Sequence, residues 1–151
     1  MPYTYEYPRP AVTTDCLIFS RSDEQLYLLL IQRGSPPFEG KWAFPGGFIE
    51  IDENIDDAAY RELKEETNID NIKLYQFKTY GQVDRDPRGR TISIVYYGFI
   101  SSGNTESEAG SDARATKWFP TDNLPELAFD HDKIIREALD YLDKFRSKGK
   151  L

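Results

Sequence analysis

The sequence predicts a mixed α/β domain with helices and sheet in a sandwich-like arrangement, on three observations. Apolar and β-branched runs recur at Ala11 to Phe19, Leu26 to Gln32, Ile72 to Val83, Thr91 to Ile100 and Thr116 to Phe119. Two segments, residues 54–69 and the stretch after Asp130, repeat their apolar residues with helical spacing. Strand and helix patterns alternate along the chain, and several strands are joined by turns short enough for antiparallel hairpins.

The elements follow in order. Residues 1–10 hold three Tyr and three Pro and read as an extended lead-in. Asp23-Glu24-Gln25 turns the first strand into Leu26 to Gln32, a nearly unbroken apolar run that suits a strand covered on both faces. Gly34 to Gly40 is a loop by its Gly and Pro content, and it leads through Trp42-Ala43-Phe44 to Pro45-Gly46-Gly47. The spacing predicts a helix over Glu53 to Asn68. The next two strands are joined by Asp84 to Arg90, a Pro/Gly turn with three arginines. In the second of them Ile92, Ile94 and Tyr96 share one face, and Ser93, Val95 and Tyr97 share the other. Ser101 to Asp112 is polar and reads as a mobile loop, and Thr116 to Phe119 is a short strand. Asp130 can cap a last helix carrying Ile134, Ile135, Ala138, Leu139, Leu142 and Phe145 on its apolar face.

At 151 residues the chain suits one domain, 1–151. Its 19 basic and 26 acidic residues give a net charge of −7, which argues against a general affinity for nucleic acid. Cys16 is the only cysteine, so no internal disulfide can form and a reducing, cytoplasmic setting is expected. No apolar run approaches the roughly 20 residues of a membrane span, and the N-terminus has no signal-peptide core.

The chemistry is concentrated in residues 54–69, NIDDAAYRELKEETNI. At helical spacing Ile55, Ala58, Ala59 and Glu62 form one stripe, continued by Glu65, Glu66 and Ile69, while Asp57, Arg61, Lys64 and Asn68 lie opposite. A core-facing stripe that turns acidic is unfavourable unless a cation neutralises it. Oxygen ligands select Mg²⁺ or Mn²⁺, and Mg²⁺ is held by a few carboxylates plus the phosphates of its substrate. An acidic protein can therefore take a polyphosphate with metal between them. The bland alternative is a solvated Glu-rich helix with pairs such as Arg61 and Glu65.

The preceding residues weigh against that alternative. Gly47, five residues, Glu53, seven residues, then Arg61-Glu62-Leu63-Lys64-Glu65-Glu66-Thr67-Asn68-Ile69 resembles the Nudix box, G-x5-E-x7-R-E-U-x-E-E-x-G-U with U aliphatic. Asn68 stands where the family usually has Gly, and Asn is the next residue most tolerant of the left-handed conformation used after a helix.

The resemblance implies an α/β/α sandwich with a mixed central sheet, and a loop–helix–loop that binds Mg²⁺ or Mn²⁺. Carried over, Glu66, Glu62 and Glu65 are the metal ligands, in that order, with the Gly46 carbonyl a further candidate; the alternative for Glu65 is to be held by Arg61, which orients a glutamate, and Glu53 braces the loop. The base that takes the water's proton is Glu62 or an acid of the polar loop, Glu106, Glu108 or Asp112, with Asp112 favoured. The segments Pro37 to Phe48, Asp84 to Arg90 and Leu124 to His131 look like the ADP-ribose pyrophosphatase branch, which cleaves ADP-ribose to AMP and ribose 5-phosphate.

Arg85, Arg88, Arg90 and Arg33 are candidate contacts for a diphosphate or terminal ribose, and Phe38, Phe48 and Tyr80 for stacking on a base. His131 opens a helix, where capping or packing is the favoured role, and Cys16 reads as a buried small hydrophobe. The alternatives are another nucleoside diphosphate substrate (a nucleotide sugar, a dinucleotide polyphosphate or a nucleoside triphosphate) and a ligand-sensing module of a DNA-binding regulator. The sensor is disfavoured because the chain ends at Leu151 after its last helix and keeps all three glutamates. A homodimer is common among such relatives.

Overall fold

The sheet is organised around β1 (Ala11–Ser22), whose Ala11 to Ser20 pair in parallel with Thr91 to Ile100 of β6 (Thr91–Ile100). The structure is a computed structural model that describes residues 2–101 and 113–147. On its other edge β1 does two things. Its last four residues, Phe19 to Ser22, form a hairpin with β2 (Gln25–Arg33), and then the two strands diverge. The gap is filled by β3 (Trp42–Ala43), which pairs with Ile31 and Gln32 of β2, and β4 (Gly46–Phe48), which pairs with Thr13 to Asp15 of β1. β7 (Ala113–Pro120) runs antiparallel along the far side of β2, and β5 (Tyr75–Tyr80) along β6.

Alternation along these strands sends side chains to two cores. Leu17, Phe19, Leu28, Leu30 and Val95 face α2 (His131–Ser147), meeting Ile134, Ile135, Ala138 and Leu142. Cys16, Ile18, Leu29 and Tyr96 face α1 (Ile55–Thr67), meeting Ala59 and Leu63. The result is the α/β/α sandwich with a mixed sheet expected from the sequence. The run Leu28 to Ile31 is buried because each face of β2 has a helix over it. His131 packs rather than caps, and Cys16 is buried.

Element ends differ from the sequence expectation for local reasons. The strand expected over Ile72 to Val83 shrinks to Tyr75–Tyr80, because the Leu74 N–H donates to the Tyr60 hydroxyl at 2.9 Å and Arg90 Nη1 donates to the Gly81 carbonyl at 2.8 Å. Glu53 stays outside α1, its carboxylate already engaged with the Glu50 N–H and with Arg61. Asn68 ends α1 with φ 64° and ψ 16°, its N–H bonded to the Lys64 carbonyl, so it occupies the left-handed position that the family pattern gives to glycine. The polar stretch 102–112 lies outside the described residues.

Candidate active site

The divergence of β1 and β2 opens a cavity of about 420 Å³. Gly46 and Gly47 of β4 sit at its edge with no room for side chains. A Cβ on Gly46 would run into the Thr14 carbonyl and Asp15 of β1, and one on Gly47 would meet the Glu62 carboxylate oxygens at 2.6 Å. Gly47 thus lets Glu62 of α1 approach β4, and Gly46 lets β4 lie close against β1.

Glu66 is 7% exposed, and its Oε1 accepts the Gly46 N–H at 2.7 Å. Glu62 lines the cavity with a side chain 15% exposed. Burial raises its carboxyl above the ordinary range, against the opposing pull of Arg61. Arg61 is the hub behind them. It makes a two-pronged bond to Glu53 (Nε to Oε2 at 2.6 Å, Nη2 to Oε1 at 2.9 Å) and donates to the Phe48 carbonyl at 3.2 Å. Its Nη1 reaches Glu62 at 2.9 Å and Glu65 at 3.1 Å. Glu53 is held low by Arg61, and Arg61 is raised by Glu53.

Glu65 does not join the inward pair. Its side chain is 51% exposed, faces Arg61 and does not line the cavity, which corrects the expectation of three inward carboxylates. Among the described residues no three His, Cys, Asp or Glu side chains gather into a metal cluster. Glu62 and Glu66 flanking a gap beside two glycines still match what Mg²⁺ or Mn²⁺ takes from a protein, one or two carboxylates, with phosphates and water completing the shell.

The opposite wall carries the arginines. Arg33, at the end of β2, donates from Nε to the Pro37 carbonyl at 2.7 Å, and its guanidinium lies 5.0 Å from the centre of the Phe129 ring. Its Nη groups have no hydrogen-bond partner among the described residues. Burial lowers its pKa, and Arg88 adds to the effect. Arg88 is paired with Asp86 at 2.7 Å and lies over the rings of Phe48 and Phe129, at 4.7 and 5.1 Å.

Arg85 lines the cavity but is not free: its side chain is 4% exposed and forks onto Asp130 (Nε to Oδ2 at 2.9 Å, Nη2 to Oδ1 at 2.7 Å). Asp130 therefore serves Arg85 with its carboxylate at the start of α2. His131 stacks on Phe44 at 4.1 Å and accepts the Phe44 N–H on Nδ1 at 3.2 Å. Burial pushes its pKa down to about 3, so it is neutral.

Arg90, expected as a substrate contact, is exposed, braces Gly81 and does not line the cavity. Tyr80 likewise points into the core, its hydroxyl donating to Glu137 at 2.7 Å. Phe38 packs on Phe129 at 4.9 Å instead of lining the cavity. Asp112 lies outside the described residues. Sequence reasoning passed over Asp15, Thr13, Asp86 and Phe129, all on the cavity wall. For Asp15 a signal existed, namely a lone acid inside the apolar strand run AVTTDCLIF.

A mixed sheet between two helices, with a glycine pair facing two helical glutamates, defines a class of phosphate-cleaving domain. The family described as NUDIX domain matches residues 9–140. The chain belongs to the Nudix hydrolases. The ADP-ribose pyrophosphatase of Methanocaldococcus jannaschii is 43% identical over 133 residues, 88% of this chain and 75% of that protein. The ADPR responsive transcriptional repressor NtrR of Acinetobacter baylyi is 35% identical over 137 residues, 88% of this chain but 54% of the repressor, so the chain spans about half of that relative. Among solved structures, the Nudix domain of Shewanella oneidensis NrtR complexed with ADP ribose matches with a TM-score of 0.83 and 32% identity, covering 90% of each chain.

Proposed function

We propose that this hydrolase cleaves the diphosphate of ADP-ribose to AMP and ribose 5-phosphate with the help of Mg²⁺ or Mn²⁺. The observation that carries the reading is the meeting, in one cavity, of the Glu62–Glu66 pair with the cations of Arg33 and Arg88. The relative named as an ADP-ribose pyrophosphatase, similar along most of both chains, supports the choice of substrate.

Glu62, Glu66 and the Gly46 carbonyl would hold the cation, which supplies charge neutralisation at phosphorus and a water of lowered pKa. Glu66 is fixed for this by the Gly46 N–H, and Arg61 fixes Glu62 from behind. Glu65 contributes through Arg61 rather than as a ligand. Arg33, with unpaired donors, receives the diphosphate, and Arg88 closes the site over Phe48 and Phe129. Arg85 acts at one remove, holding the start of α2 through Asp130. Water attacks one phosphorus, the bridging oxygen leaves with the other phosphate, and a carboxylate takes the proton. Glu62 is the candidate base on the cavity wall, and Asp112, which lies outside the described residues, is the other candidate.

The test is product analysis after incubation with Mg²⁺ and ADP-ribose, nucleotide sugars, diadenosine polyphosphates or nucleoside triphosphates. AMP and ribose 5-phosphate arising mainly from ADP-ribose are expected. Preference for another member overturns the substrate and keeps the chemistry. Tight binding of ADP-ribose with no cleavage favours the sensing reading that the repressor relative suggests.

A further inference from the structure

Asp15 stands within β1, between Gly46 on β4 and Ser93 close by on β6, and is only 8% exposed. Its Oδ2 accepts from the Ser93 hydroxyl and from Thr13 Oγ1 at 3.4 Å. Its Oδ1 has no hydrogen-bond partner among the described residues, although the side chain lines the cavity that holds Glu62 and Glu66. The nearby Arg85 guanidinium does not supply one, since its fork is committed to Asp130. The buried side-chain atoms left unpaired among the described residues are Thr14 Oγ1 and Ser20 Oγ, and Asp15 Oδ1 is not one of them: it opens onto the cavity, within reach of a bound molecule.

Two further observations narrow that partner. A Cβ on Gly46 would lie 2.5 Å from Oδ1, so the glycine beside Glu66 also keeps the approach to Asp15 open. The cation of the proposed reaction is assigned above to Glu62, Glu66 and the Gly46 carbonyl, which leaves Asp15 Oδ1 to the substrate. A phosphate offers only acceptor oxygens and negative charge, and it would be repelled. What remains is a neutral donor.

We propose that Asp15 Oδ1 accepts a hydrogen bond from the uncharged part of the substrate, a pentose hydroxyl or a base amino group, and selects for it. The inference rests on the nucleoside diphosphate reading above and adds a specificity-determining residue to it.

The test compares wild type and Asp15→Ala on ADP-ribose, on its hypoxanthine counterpart lacking the amino group, and on analogues each lacking one pentose hydroxyl. Wild type is expected to lose about 10- to 100-fold in kcat/KM on one of these, mostly through KM, as one hydrogen bond to a charged group implies. Asp15→Ala loses a similar factor on ADP-ribose and discriminates no further against that analogue. Where Asp15→Ala fails to fold, Asp15→Ser carries the same expectation, because it keeps a hydroxyl for Ser93 and withdraws the acceptor from the cavity. Undiminished discrimination in a folded variant overturns the assignment, and so does a wild type that treats all the analogues alike. A wild type that neither binds nor cleaves any of the set overturns the proposed function itself, a result distinct from binding without discrimination.

Discussion

Gly47 lies so close to Glu62 that an alanine there would bring its Cβ within 2.6 Å of both carboxylate oxygens. Ordinary contact begins near 3.4 Å, so the carboxylate must retreat by about 0.8 Å. It can do so cheaply, because what gives way is the far end of a side chain. Gly47→Ala should therefore cost less than about 1 kcal/mol of stability. A displacement approaching 1 Å in a catalytic group costs about 10²-fold in rate, or roughly 2.7 kcal/mol of transition-state stabilisation.

Gly46→Ala is the contrasting case. Its Cβ would strike the Thr14 carbonyl and come within 2.9 Å of the Asp15 Cα, backbone that cannot move without breaking the β1–β4 pairing. Overpacking of that kind costs about 1–3 kcal/mol. Thermal melts and AMP release from ADP-ribose, measured on both variants, separate the two effects. A Gly47→Ala protein with kcat/KM within threefold of wild type would refute the reasoning. So would one whose Tm falls as far as that of Gly46→Ala.

Three other outcomes are expected. His131 is neutral with a pKa near 3 against an ordinary 6.5, so as pH falls below 6.5 the unfolded chain gains a proton that the folded chain refuses. Stability should fall by about 2.3 kcal/mol between pH 6.5 and 4.5 from this residue, and urea titrations of His131→Asn should lose that part of the slope. Arg85→Ala leaves the half-buried Asp130 without its partner and should cost about 1–3 kcal/mol, whereas Arg90→Ala should stay within about 0.5 kcal/mol, both by chemical denaturation. Arg33→Gln should raise KM for ADP-ribose about tenfold with kcat changed less than threefold; an unchanged KM would remove Arg33 from the substrate path.

What the sequence made legible was whatever is encoded locally. The helix and the strand alternation of β6 follow from spacing, the Asn68 terminator follows from the Nudix-box resemblance, and the structure has all three in place. The placement of Glu65 fails by phase. Taking about 100° per residue, Glu66 lies about 40° from Glu62 on the Leu63 side, while Glu65 lies about 60° away on the other. The buried face centres between Ala59 and Leu63, a residue the stripe had omitted, and so it takes in Glu66 and leaves Glu65 outside.

Arg90 sits in the same turn as Arg85 and Arg88, and nothing in the turn's composition separates them. What separates them is that Asp130, 45 residues on, reaches Arg85 but not Arg90. Asp15 and Phe129 become site residues only when β1 and β2 part and α2 begins beside the gap. The lone acid in AVTTDCLIF marks Asp15 as unusual, but that it faces a cavity shared with Phe129 is a property of the assembled sheet.

The requirement that hydrolysis places on the site is a metal carried by Glu66, which is held by Gly46 and shares the cavity with Glu62. It is tested most directly by the rate of AMP release from ADP-ribose as Mg²⁺ is titrated into chelator-treated wild type and Glu66→Gln. Wild type should be inactive without the ion and recover saturably, with Glu66→Gln at least about 10²-fold slower at every concentration. Activity in excess chelator, or a Glu66→Gln rate within tenfold of wild type at saturating Mg²⁺, would contradict the account.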